Sequence, residues 1–254
     1  MISGEEIRQH AAEFGVPEAQ VVRDHLISHV LQVLAVDAPL EVTFFGGTAL
    51  CRTWLPDVRL SEDIDLLVAD HVAASEELPP LLSRGIRREF PDSRWQDLGR
   101  QHDVDTKSLV ATDGVEVKVQ FAKWRHRWED VIPVEIEPVR LRYSDLPETC
   151  RLPVPTAAGF ATMKLVAWSD RHAPRDLFDL YGLAQSGYLD EEVQGLHKSI
   201  TGVTPTAGTL EAKVPASVDA SWAAELGHQL GDLPSPGTCL EVVREAFQLL
   251  ESGA

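Results

Sequence analysis

Residues 44–68 read FFGGTALCRTWLPDVRLSEDIDLLV, and the order of parts in this stretch constrains the fold more than any other. An apolar, strand-like run ends at Gly46-Gly47, and Asp63-Ile64-Asp65 follows sixteen residues after Gly47. Glycine directly after a strand tolerates positive φ and lets the backbone approach a ligand closely. A helix beginning near Thr48 would offer free N–H groups and a favourable dipole to an anion, with the Thr48 hydroxyl as a further donor. Asp63 and Asp65 are two apart in a strand, so both carboxylates face the same way. Side by side they repel unless a cation lies between them or one is protonated. Mg²⁺ takes oxygen ligands and commonly uses one or two carboxylates together with substrate phosphates. Gly46, Gly47 and Thr48 can therefore meet phosphates while Asp63 and Asp65 hold a metal. Taken singly, a glycine pair after a strand is ordinarily a turn, and Asp-x-Asp is ordinarily a solvated strand end. Their order within one strand–turn–helix–strand unit is what favours the ligand reading.

The flanking pattern places this unit in a mixed α/β first half. Ser3 with Glu6 forms a capping box and Gly15 a stop, so a short first helix is expected. Pro17 suits the first turn of a second helix, whose apolar residues recur at helical spacing to about Val36. Strands are expected over 41–45 and 63–68, with a short buried helix over 48–54 and a longer one over 73–90. Two strands over 104–111 and 115–121 are joined by Thr112-Asp113-Gly114, a hairpin signal. A further strand over 132–141 is limited to an edge or to short pieces by Pro133 and Pro138. Prolines at 147, 153 and 155 mark a boundary over 143–155. Beyond it the pattern is helical over 157–170, 174–186, 190–200, 217–230 and 238–252, with a loop over 201–216. The expected domains are N-terminal helices over 1–37, an α/β domain over 38–145 and a helical domain over 156–254. The fold class is α+β.

Apolar residues make up 44% of 254, which excludes global disorder, and no apolar run is long enough to span a membrane. The N-terminus lacks the basic start and apolar stretch of a secretory signal. Cys51, Cys150 and Cys239 are odd in number and widely spaced, which argues against a disulfide framework or a zinc site and fits reduced thiols in the cytoplasm, and the histidines, including His102, His126 and His172, show no metal-ligand spacing in the sequence. The net charge of −17 repels polyphosphate at long range, so any nucleic-acid contact must come from a local patch. Walker A, G-x-S-x-G and Rossmann fingerprints are absent from the sequence.

Residues 45–50, FGGTAL, followed by 59–66, RLSEDIDL, resemble the first motif of the AbiEii/AbiGii nucleotidyltransferase toxin family, which includes the mycobacterial MenT toxins. Lys164 within FATMKL, and Arg171 to Leu180, RHAPRDLFDL, resemble that family's lysine helix and its R-D-x-x-D-L segment. The resemblance spans about residues 40–185. It implies a DNA polymerase β-like nucleotidyltransferase sheet flanked by helices, followed by a mostly helical half that completes the active site. It implies an NTP substrate, Mg²⁺ (or Mn²⁺) as cofactor, an RNA acceptor such as the tRNA 3′ end, and a cognate antitoxin. Asp63, Asp65, Lys164 and Asp176 become the candidate catalytic residues. Gly46, Gly47, Thr48, Arg59, Ser61, Lys164, Arg171, Arg175 and Asp179 become the candidate nucleotide contacts.

One departure stands out. Many nucleotidyltransferases carry a third carboxylate on a later strand. Here that strand reads GVEVKVQF over 114–121, and Glu116, Lys118 and Gln120 share one face by alternation. Gln120 occupies the expected third position, with Glu116 as the alternative ligand. For the acceptor, Lys123, Trp124, Arg125 and Arg127 form the densest basic–aromatic cluster, able to pair with phosphates and stack on bases, although intramolecular ion pairs account for such clusters equally well. Arg84, Arg87 and Arg88, and then Arg140 and Arg142, form two more. The leading expectation is a cytoplasmic RNA-modifying nucleotidyltransferase toxin. The alternatives are an aminoglycoside-type nucleotidyltransferase, which an acidic pocket would suit, and a catalytically weak nucleotide-binding module, which Gln120 would suit.

Overall fold

The computed structural model describes residues 2–38, 41–56, 60, 62–111, 114–227 and 233–253. The chain forms two compact units, one of residues 1–125 and 134–154, the other of residues 126–133 and 155–254.

The first unit opens with α1 (Gly4–Phe14), capped by Ser3, whose hydroxyl accepts from the Glu6 N–H, and closed by Gly15 at φ +66°. Pro17 is the cap of α2 (Glu18–Asp37) rather than a residue of its first turn. This helix buries polar Asp24, His25, Ser28 and His29 beside its leucines and valines, so it is enclosed on several sides. Next come β1 (Thr43–Phe45), α3 (Gly46–Leu50), β2 (Asp63–Val68) and α4 (His71–Ile86). Asp70 caps α4 by accepting from the Val72 and Ala73 N–H groups. Then follow β3 (Arg94–Gln101), β4 (Val104–Val110) and β5 (Glu116–Lys123).

These strands form one mixed sheet in the order β1-β2-β5-β4-β3. β2 runs antiparallel to β1 and parallel to β5, with Asp63 opposite Lys118 and Asp65 opposite Gln120. Ile64, Leu66, Val117, Val119 and Phe121 are fully buried on one face and meet the α2 and α4 side of the unit. Alternation therefore turns Asp63, Asp65, Lys118 and Gln120 to the other face. Of the expected Thr112-Asp113-Gly114 turn, Thr112 and Asp113 lie outside the described residues; Gly114 has φ +83°.

Two expectations need correction. Residues 94–101 carry no strand signal in the sequence, yet they form β3, which pairs antiparallel with β4 at the sheet edge. Most of its side chains are exposed, so no alternation betrays it. The boundary over 143–155 also contains a strand, β7 (Thr149–Pro155), which pairs with β6 (Val134–Arg140) as a separate two-stranded sheet. Proline is tolerated in such edge strands, which lack a neighbour on one side.

The second unit holds α5 (Trp128–Val131), α6 (Ala157–Arg171), α7 (Pro174–Gln185), α8 (Glu191–Thr201), α9 (Ala216–Leu226) and α10 (Pro236–Ser252). Thr156 caps α6, and His172 ends it at φ +49°. Pro174 starts α7 with Asp176 in its first turn, as its sequence predicts. α7 packs on α6, α9 and α10 through Leu177, Phe178, Leu180 and Leu183, all buried. No helix of the described residues is long and apolar enough to cross a membrane.

Candidate active site

Gly46 and Gly47 fall where β1 turns directly into α3. Gly46 has φ +79°, and a Cβ there would lie 2.1 Å from Asp65 Oδ2. Two separate constraints thus require glycine: the backbone angle and the carboxylate lying against the Cα. α3 has only five residues, and its Thr48 is buried. The Thr48 hydroxyl donates to the Asp63 carbonyl, which ties the glycine turn to β2. In this structure the hydroxyl serves the scaffold and is directed at protein rather than outward.

Asp63 and Asp65 are half-buried, and they leave the same face of β2. Lys118 on β5 brings its Nζ to 3.3 Å from Asp63 Oδ2. That ammonium offsets part of the repulsion between the paired carboxylates. Gln120 stands opposite Asp65 in register. Glu116 is exposed at the start of β5, and its carboxylate accepts from the Ser108 hydroxyl on β4. Arg23 of α2 donates to the Glu116 carbonyl at 2.9 Å and pairs with Glu62 at 3.1 Å. The donor set on this face is two carboxylates and an amide, all hard oxygens, which suits a Mg²⁺-type cation. Arg59 and Ser61 lie outside the described residues.

The other predicted cluster belongs to the second unit. Lys164 on α6 is 9% exposed, and Asp176 and Asp179 on α7 are 0% and 1% exposed. Lys164 Nζ donates to Asp176 Oδ1 at 2.9 Å and lies 2.7 Å from Asp179 Oδ2. Arg171 donates two hydrogen bonds to Asp176, at 2.7 and 3.0 Å, while keeping its own side chain largely in solvent. Two cations and two carboxylates balance, which is how such buried charge is tolerated. Burial pushes the Asp176 carboxyl upward, but Lys164 and Arg171 outweigh it, and the net direction is below the ordinary carboxylate value. Arg175 is half-buried on the same helix. The i, i+3 spacing of Asp176 and Asp179 is what turns both toward α6.

Lys123, at the end of β5, and Arg125 are exposed, and Trp124 between them is half-buried. Arg127, also exposed, belongs to the second unit and has φ +70° as the cap of α5. Arg84, Arg87 and Arg88 are exposed on or just beyond α4. Arg142 is largely buried, and its guanidinium donates to the Cys51 carbonyl at 2.7 Å, so it serves the scaffold.

Sequence reasoning missed two features. Alternation places Lys118 on the right face, but only the β2–β5 register brings it to Asp63. The second is a buried ion pair, Arg52 to Asp24 at 2.8 Å, with both side chains 1% exposed. Tyr143 donates to the same aspartate at 3.0 Å. A lone arginine after the α3 motif carries no signal of a partner 28 residues earlier.

A family model described as nucleotidyl transferase AbiEii toxin, type IV toxin–antitoxin system, matches residues 31–249. Among solved structures, the chain is similar to MenT4, a nucleotidyltransferase toxin from Mycobacterium tuberculosis, with TM-score 0.67 and 18% identity over 99% of this chain and 90% of that one. It is also similar to JHP933 from Helicobacter pylori, with TM-score 0.62 and 15% identity over 94% of both chains. A putative nucleotidyltransferase from H. pylori gives TM-score 0.60 and 16% identity, covering 94% of this chain and 97% of that one. At these identities the likeness concerns the fold. No protein of curated function matches the sequence.

Proposed function

The chain belongs to the nucleotidyl transferase AbiEii toxin family of type IV toxin–antitoxin systems, and from that membership we propose that it transfers a nucleoside monophosphate from an NTP to an RNA hydroxyl, with the 3′ end of tRNA as acceptor. The acceptor oxygen forms a bond to the α-phosphorus, the α–β anhydride bond breaks, pyrophosphate leaves, and the hydroxyl proton passes to solvent. The observation that carries this reading is the pairing of Asp63 and Asp65 on one face of β2, with the glycine turn laid against Asp65.

In this reading Asp63 and Asp65 would hold the divalent cation, Gln120 stands opposite Asp65 in register, and Gly46 and Gly47 would admit the triphosphate to the backbone. Mg²⁺ bound there would neutralise developing charge on the phosphates. Lys118 then exchanges its contact with Asp63 for one with a phosphate oxygen. Within the second unit, taken by itself, Lys164 offers a point charge to a phosphate, and Asp176 and Asp179 fix its direction. Arg171 and Arg175 supplement it. Lys123, Trp124, Arg125 and Arg127 supply phosphate pairing and a stacking surface for the acceptor. NTP and tRNA meet in the cytoplasm, where a cognate antitoxin would counter the enzyme.

A second reading, a catalytically weak nucleotide-binding module, draws support from the lysine on Asp63 and the neutral Gln120 opposite Asp65. A third, transfer to a cationic aminoglycoside, draws support from the net charge of −17. Incubation of the protein with Mg²⁺, each α-labelled NTP and either total tRNA or an aminoglycoside separates the three. Label appearing on tRNA alone is expected. Label on the drug, or NTP binding without transfer, would replace the proposal with one of the others.

A further inference from the structure

Away from the aspartate pair, the first unit gathers three ligating side chains that nothing in nucleotidyl transfer requires. His25 and His29 are four apart on α2, which sets both imidazoles on one helix face. Asp145 reaches them from the segment between β6 and β7. His25 Nε2 lies 3.1 Å from each Asp145 carboxylate oxygen. The two Nε2 atoms are 3.0 Å apart, and His29 Nε2 is 3.4 Å from Asp145 Oδ2. The His25 and His29 side chains are 5% and 11% exposed, and the Asp145 side chain is 17% exposed.

With Asp145 ionised, protons on the two imidazoles do not satisfy all three edges of this triangle. If both Nε2 atoms carry hydrogens, two N–H groups confront each other at 3.0 Å. If only His25 Nε2 is protonated, the His29 lone pair faces a carboxylate oxygen. If only His29 Nε2 is protonated, the His25 lone pair does so. A central cation satisfies all three edges at once. Tetrahedral Zn²⁺ binds imidazole nitrogen and carboxylate oxygen at about 2.0–2.2 Å, which by geometry spaces its ligands about 3.3–3.5 Å apart. The observed edges are 3.0, 3.1 and 3.4 Å, so two of them need to widen by only a few tenths of an ångström to reach that spacing.

We propose that His25 Nε2, His29 Nε2 and the Asp145 carboxylate form a binding site for a borderline transition metal of the Zn²⁺ class, which staples α2 to the segment between β6 and β7. Two nitrogens and one carboxylate select Zn²⁺ over Mg²⁺ and Ca²⁺, which prefer all-oxygen shells. The rings are already held in place. Phe90 packs at 5.5 Å from each imidazole, and Tyr143 meets His25 edge-on at 4.9 Å. Burial keeps both histidines toward the neutral form, which is the ligating one. The role is structural: a metal that binds only the folded state raises its stability.

The test uses the full chain without a polyhistidine tag, stripped with a chelator and checked for fold by circular dichroism. Zn²⁺ titration should show one equivalent bound per chain and a rise in Tm that Mg²⁺ does not give. Outer-shell changes alone cost about 10–100-fold in affinity, so removal of a direct ligand in His29→Gln or Asp145→Asn should weaken Zn²⁺ binding by at least ~100-fold. Both variants should keep the metal-free Tm of the parent to within a few degrees. Co²⁺ in place of Zn²⁺ should give the intense visible bands of tetrahedral coordination in the parent and lose them in both variants. Folded parent protein that binds no Zn²⁺, or variants that bind it as tightly as the parent, would overturn the assignment.

Discussion

Gly46 carries two constraints on one Cα, a φ of +79° and the Asp65 carboxylate where a side chain would begin. The left-handed angle alone costs a non-glycine residue about 1–2 kcal/mol, and the clash adds to it. Gly46→Ala should therefore lower stability by roughly 1–3 kcal/mol in a urea melt and displace Asp65, so that nucleotidyl transfer falls by more than the lower stability accounts for. Lys164 answers to a different balance, since it compensates two buried carboxylates. Lys164→Ala should destabilise by about 3–5 kcal/mol, because it strands those charges. Asp176 adds a pH dependence. Its folded-state pKa lies below the unfolded value of about 3.9, so its stabilising contribution is complete above that pH and is lost as pH falls through the folded value. Urea midpoints measured from about pH 5 downward should drop, and Asp176→Asn should flatten that limb.

Elements differ in how openly the sequence declares them. β2 and the helices α6, α7 and α8 are bounded by turn and capping residues and carry clean apolar patterns, so their placement follows from side-chain alternation and helical spacing. β3 is exposed on most positions, and its bulge near Asp97 and Gly99 breaks whatever alternation remains. β7 is hidden by its prolines, which read as a linker when the pairing with β6 is unknown. Within the site, the aspartate pair and the glycine turn are legible because their spacing is local. Lys118 on Asp63, the Thr48 bond to the Asp63 carbonyl and the Asp24–Arg52 pair depend on register or on distant segments, which no local pattern encodes. Arg52 also bonds Ser28 at 3.0 Å and the Arg140 carbonyl, so this one side chain joins α2, the end of α3 and β6. Asp24→Ala should cost about 3–5 kcal/mol by leaving that guanidinium buried and uncompensated, and thermal denaturation of the purified variant checks it.

For the whole molecule, charge and function pull in opposite directions. On the proposed reading, an RNA acceptor must be held by a chain of net charge −17 through a few local cations against a repulsive background. RNA affinity should then fall steeply with salt. Replacing Lys123 and Arg125 with alanine should flatten the slope of log affinity against log salt by about 0.7 for each single-strand phosphate that is no longer neutralised. The central claim, however, rests on the paired carboxylates of β2. The most direct measurement is the rate of label transfer from α-labelled NTP to tRNA by the parent protein and by Asp63→Asn and Asp65→Asn, each variant verified as folded. These changes keep side-chain size and remove the charge that would hold the cation. Both rates should fall by at least about 1,000-fold, which corresponds to roughly 4 kcal/mol of transition-state stabilisation. A folded variant that transfers label at the parent rate would show that the reaction takes place elsewhere on the molecule.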